Sequence, residues 1–122
     1  MIPIRQINSV IYSGQSLTVS GGATPTLTSS KVYVGELSKL NVFVANGGTS
    51  TNCTVEIRGS PESDSALSSQ LAVFTLGASG TSGAKAGRYL ENFPSYVYAI
   101  ITNLDAVAGH TAAMTVILDR FR

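Results

Sequence analysis

The sequence predicts an all-β chain, folded as a single antiparallel β-sandwich of jelly-roll type with an extended N-terminal arm. Three observations predict it: apolar residues recur with period two in short runs, clusters of glycine, serine, asparagine and proline separate those runs, and no stretch sustains helical periodicity. Without crossover helices between the strands, a parallel α/β fold is excluded. The 122 residues suffice for one hydrophobic core and one domain, divided here into an arm or first strand over 1–12 and the sandwich over 13–122.

Taken from the amino end, the first dozen residues are apolar through Ile2, Ile4, Ile7, Val10 and Ile11, while Pro3 removes one ladder donor and suits an edge or an extended arm. Two readings stand open: a first strand of the domain's own sheet, or an arm that adds a strand or an apolar plug to a neighbour. Strands are then expected over 7–12 and 15–19, parted by a turn at Ser13-Gly14, and over 31–34 and 37–45, the last closed by Asn46-Gly47-Gly48. The clearest strand is 53–58, where Cys53, Val55 and Ile57 alternate with Thr54, Glu56 and Arg58. Further strands are expected over 71–76, 96–103 and 112–119, about eight in all, with 77–87 a flexible loop and 63–69 the one stretch able to form a helical turn. Two strands are apolar on both faces: Tyr96, Tyr98 and Ile100 oppose Val97, Ala99 and Ile101, and Leu71 and Val73 oppose Ala72, Phe74 and Leu76. The outer face of a sandwich is normally polar, so these predict cover by a loop, by the chain's own arm or by a neighbouring subunit.

Charged residues make up only 12% of the chain, about half the usual share, and the net charge is +1. Serine, threonine and glycine cover the surface instead, and a surface with so little charge repulsion favours association. Eight basic residues scattered among seven acidic ones leave no electrostatic footprint for nucleic acid. The start Met1-Ile2-Pro3-Ile4-Arg5-Gln6 has no secretory-signal pattern, and no apolar stretch is long enough to cross a membrane. The expectation is a protein made in the cytoplasm that reaches any surface location by lysis, dedicated export or spore maturation.

No catalytic constellation is expected. His110 is the sole histidine, in the turn-like Ala108-Gly109-His110-Thr111, and no serine or cysteine carries a nucleophile motif. Glu62 and Asp64 offer oxygens to a calcium ion, but turn chemistry accounts for the same residues, and the glycine-rich 77–87 lacks the lysine-hydroxyl order of a phosphate loop. No cofactor or metal is therefore expected. Cys53, the only cysteine, reads as a core thiol, with a bridge to a second chain as the alternative. A carbohydrate-binding module is the rival to a structural role; it would have to use Tyr12, Tyr33, Tyr89, Tyr96 or Tyr98 as stacking platforms, since tryptophan is absent.

Three segments carry a resemblance: Val42-Phe43-Val44-Ala45-Asn46-Gly47-Gly48, then Val55-Glu56-Ile57-Arg58-Gly59-Ser60-Pro61-Glu62-Ser63, then Phe93-Pro94-Ser95-Tyr96-Val97-Tyr98-Ala99-Ile100-Ile101-Thr102-Asn103. Together they resemble the small jelly-roll domains of bacterial surface and spore appendages and of phage virion and capsid-decoration proteins. The chain departs from the cysteine-rich leader of spore-appendage subunits, so the resemblance does not extend to disulfide cross-linking. It implies a self-assembling subunit whose partners are copies of itself or a capsid protein, ending in an extracellular appendage or a virion. Its candidate contacts are Ile2, Ile4, Ile7 and Ile11, with Tyr96, Tyr98 and Phe121 as further positions.

Overall fold

The computed structural model describes residues 6–18, 26–35, 39–63, 67–107 and 109–121; within these, the side chains of 6–18 and 119–121 are left aside. Nine strands are described: β1 (Gln6–Thr18), β2 (Thr26–Thr28), β3 (Val32–Tyr33), β4 (Lys39–Asn46), β5 (Cys53–Ser60), β6 (Ser69–Leu76), β7 (Lys85–Leu90), β8 (Tyr96–Asn103) and β9 (Thr111–Phe121). They form two antiparallel sheets, one in the order β1-β9-β4-β7 and one in the order β2-β8-β5-β6, with β3 also paired to β8. Because β2 and β3 line up on the same neighbour, they act as two halves of one interrupted strand. Apart from that break and the β5–β6 hairpin, every connection crosses from one sheet to the other, which is jelly-roll topology. The all-β sandwich expected from the sequence is the fold observed.

Period-two patterning builds the core. In β5, Cys53, Val55 and Ile57 are buried while Thr54, Glu56 and Arg58 are half exposed, and in β9 Ala112, Met114, Val116 and Leu118 turn inward between half-exposed neighbours. Leu40, Val42 and Val44 of β4 meet Val97, Ala99 and Ile101 of β8 between the layers. Each large side chain hidden there contributes about 1.5–3 kcal/mol of burial, which is what holds the two sheets together.

Three expectations need correction. The turn at Ser13-Gly14 is not a reversal: β1 runs through it, and its ladder with β9 shifts register between Val10 and Tyr12 and again between Ser13 and Ser16, so the extra residues are taken up as bulges. The division at residue 12 falls inside this strand. The loop expected over 77–87 is shorter, because Ser82–Ala84 forms a 3-10 turn and β7 begins at Lys85. Finally, β2 has no counterpart among the expected strands; it is only three residues long and carries one inward-leaning residue, Leu27, too little for a visible period.

Candidate functional site

Where β9, β4 and β7 meet, the outer face of their sheet is apolar at Phe43, Ala45 and Ile117, where a sandwich normally presents polar groups. Inward Val42 and Val44 force Phe43 and Ala45 outward on β4, and inward Val116 and Leu118 likewise turn Ile117 outward on β9. The register then sets Phe43 between Ile117 and Gly87, and Ala45 between Thr115 and Lys85. Gly87 has no side chain, and a Cβ there would lie 3.0 Å from Cδ1 of Phe43, so the ring lies against bare backbone of β7. The result is a groove of about 410 Å³ lined by Phe43, Val44, Ala45, Lys85, Ala86, Thr115 and Ile117. Phe43 is 47% exposed, a costly state for a ring unless something covers it.

The second sheet treats its aromatic groups differently. Tyr98, one of the positions expected to form a contact, is buried; the Lys31 Nζ sits 5.5 Å from its ring centroid and also donates to the carbonyl of Glu62 at 3.4 Å. Tyr96 is half buried, and Tyr33 packs edge-on against it with centroids 5.4 Å apart. Cover from the same chain therefore accounts for much of the outer face of β8, and the ring that remains open is Tyr33, 52% exposed. Ile2 and Ile4 lie outside the described residues. The backbones of Ile7 and Phe121 lie in the β1–β9 ladder, at Ile7–Arg120 and Gln6–Phe121, and Ile11 falls at a register shift; the side chains of all three are outside the description. The sequence candidates thus divide between two layers. Phe43, Ala45 and Ile117 were missed, although the apolar-on-both-faces criterion applied to 71–76 and 96–101 is met equally by Val42-Phe43-Val44-Ala45.

At one end of the sandwich, loops 47–52 and 104–110 are joined by buried polar groups. The Asp105 carboxylate accepts from Thr51 N–H (2.7 Å), Thr51 Oγ1 (2.9 Å), Val107 N–H (2.8 Å) and His110 Nδ1 (2.8 Å). Ser50 Oγ donates to Asn103 Oδ1 at 2.8 Å, and that oxygen also accepts from Asp105 N–H. His110, the sole histidine, is half buried and engaged in this cluster. Every Asp105 bond here favours the anion, so the cluster works as a brace between loops. Among the described residues no group of three metal-ligating side chains occurs. Cys53 is fully buried, its Sγ 3.6 Å from the Leu76 carbonyl, and burial pushes the thiol up from its ordinary value.

No family model matches the sequence, and no curated protein matches it. Among solved structures, the crystal structure of PirA matches with a TM-score of 0.53 and 7% identity, over 96% of this chain and 93% of that one. Structures of infectious bursal disease virus match as well. The Gx strain gives a TM-score of 0.49 and the Gt strain 0.47, each at 9% identity, over 95% and 94% of this chain but 32% of the viral chain. The PirA superposition, at so low an identity, shows a shared fold alone.

The brace has a measurable consequence. The N–H groups of Thr51 and Val107, then His110, hold the Asp105 carboxyl well below the usual carboxylate range against the opposing effect of burial. A carboxyl depressed on folding stabilises above its unfolded pKa of about 3.9 and loses that contribution as pH falls toward its folded value. The melting temperature of the native chain should therefore exceed that of Asp105→Asn at neutral pH, and the gap should close below about pH 4. A gap that stays constant into strong acid would show that the brace does not depend on the charge.

Proposed function

We propose that the chain is a non-catalytic structural subunit that assembles with copies of itself, as the repeating element of a virion shell or of an extracellular appendage filament. The observation that carries this reading is the apolar groove around Phe43, Ala45 and Ile117 on the outer face of the sheet where β9, β4 and β7 meet. A second copy is the occupant it suits. With a net charge of +1 and Lys85 the only ionic side chain lining the groove among the described residues, two copies meet with little repulsion. The low charge of the whole surface supports the same reading, and the PirA likeness adds the jelly-roll fold and nothing finer.

Phe43→Asp tests it. The native chain should sediment as multi-subunit species at tens of micromolar and show rings or fibres in negative stain. The variant should keep its circular dichroism spectrum and dissociate, since loss of a central aromatic anchor costs about 2 kcal/mol or more, roughly a 30-fold weaker contact. A native chain that stays monomeric at every concentration overturns the proposal, and glycan binding abolished by Tyr33→Ala would put a carbohydrate-binding module in its place.

A further inference from the structure

The two sheets have four edges, and three of them carry features that discourage strand pairing. In β1 the ladder is broken by two register shifts. The β2–β3 edge consists of three residues and two residues with a break between. Lys85, Gly87 and Arg88 interrupt β7. Charges, bulges, glycine and short length are the usual protections of an exposed edge.

The fourth edge, β6, has almost none of them. Ser69-Gln70-Leu71-Ala72-Val73-Phe74-Thr75-Leu76 contains no charge, no proline and no glycine. Among the described residues its only ladder partner is β5, and the one irregularity lies beside Leu71, leaving Ala72 to Leu76 regular. On the solvent side Val73 is 44% exposed and Thr75 is exposed, so half of this strand faces water as an apolar or neutral surface. A strand with those properties is a template for another strand.

We infer that β6 pairs antiparallel with β6 of a second copy across a two-fold axis centred on Val73, joining the two β2-β8-β5-β6 sheets into one continuous sheet. This rests on the self-assembly reading and adds a second contact to it, distinct from the groove. The choice of a second copy follows from the sequence of the strand. An axis perpendicular to the sheet keeps both cores on the same side, so only residues of like face stand opposite one another. Centring on Val73 sets Val73 against itself and Phe74 against Ala72 twice, large against small, whereas centring on Ala72 would set Phe74 against Gln70. No like charges meet in that register. On the other layer, Lys85 and Arg88 of β7 oppose the same extension, so one sheet of each sandwich continues and the other ends.

Engineered cysteines read the register directly. In the inferred pair the two residue-73 Cβ atoms lie about 5 Å apart, within disulfide reach, while the two residue-75 positions are offset along the strands by about 13 Å. Val73→Cys and Thr75→Cys should be compared in otherwise native chain at a concentration where the native protein assembles, with oxidised glutathione as oxidant and circular dichroism confirming the fold. Cys53 is fully buried and serves as the internal unreactive thiol. Val73→Cys should form a linked dimer about 100-fold faster than Thr75→Cys, the ratio of a millimolar local concentration to a bulk one of about ten micromolar. Equal rates for the two, or no linked dimer from Val73→Cys while the native chain still assembles, would overturn the edge pairing and leave the groove contact standing. A native chain that never self-associates would overturn both.

Discussion

Replacing Asn46 with alanine should lower the unfolding free energy by about 3–5 kcal/mol, because one buried side chain serves four backbone groups. Its Oδ1 accepts from the N–H of Gly48 at 2.9 Å and of Ala113 at 3.2 Å, and its Nδ2 donates to the carbonyls of Ser50 at 3.1 Å and Gly77 at 2.9 Å. These partners belong to the β4–β5 loop, to β9 and to the segment after β6, so the residue ties three parts of the chain at one end of the sandwich. Truncation leaves its partners to find water in a space that is largely closed. Asn46→Asp keeps the acceptor oxygen but sets a buried carboxylate oxygen against the carbonyls of Ser50 and Gly77, and should be no more stable than alanine at neutral pH. Urea unfolding with unchanged slope measures the loss. A cost below about 1 kcal/mol would mean that solvent replaces the side chain without difficulty.

The second large effect concerns two adjacent glycines that the sequence presents as equivalent. A Cβ on Gly48 would lie 2.2 Å from the carbonyl oxygen of Thr111 and 2.9 Å from the nitrogen of Ala113, both backbone atoms that no rotamer change can move. The same carbonyl accepts the Ser50 N–H at 2.7 Å, so relief of the clash also disturbs that bond. Gly48→Ala should therefore cost about 3 kcal/mol, at the upper end of ordinary overpacking. Gly47 is different: a Cβ there meets only the Ala113 oxygen at 3.5 Å, an ordinary contact, and its φ is not positive. Gly47→Ala should be close to neutral or slightly stabilising, through a less flexible unfolded chain. Thermal melts of the two variants side by side decide the matter, and equal losses would refute the close-approach argument.

Much of the fold was legible because burial on one side of a strand imposes period two. The segments 53–58, 96–103 and 112–119 show it plainly and all became strands. The failures have physical causes. Ser13-Gly14 carries turn residues, but a long edge strand can absorb them as bulges, and local composition does not distinguish a bulge from a reversal. The strand β7 buries little beyond Leu90 and partly Ala86, so its sequence looks like the glycine-rich loop before it, and only pairing with β4 makes it a strand. The brace around Asp105 was illegible for another reason. Asn46, Ser50, Asn103 and Asp105 are residues that usually populate wet turns, and nothing in their spacing reveals that these four are buried. The groove was the nearest miss, since Phe43 lies in a run that is apolar on both faces.

One feature of the sheet order bears on how the chain reaches this state. β9 lies between β1 and β4, yet it is the last of the nine described strands in sequence order. During synthesis the first strand has no ladder neighbour, and the fourth is paired on one side only, until residues 111–121 emerge from the ribosome. One layer is thus completed only after residues 111–121 have been made, by bringing together segments about a hundred positions apart, the kind of distant pairing that slows folding. Over that interval the nascent domain carries open strand edges, the exposure that makes partly folded chains prone to aggregate.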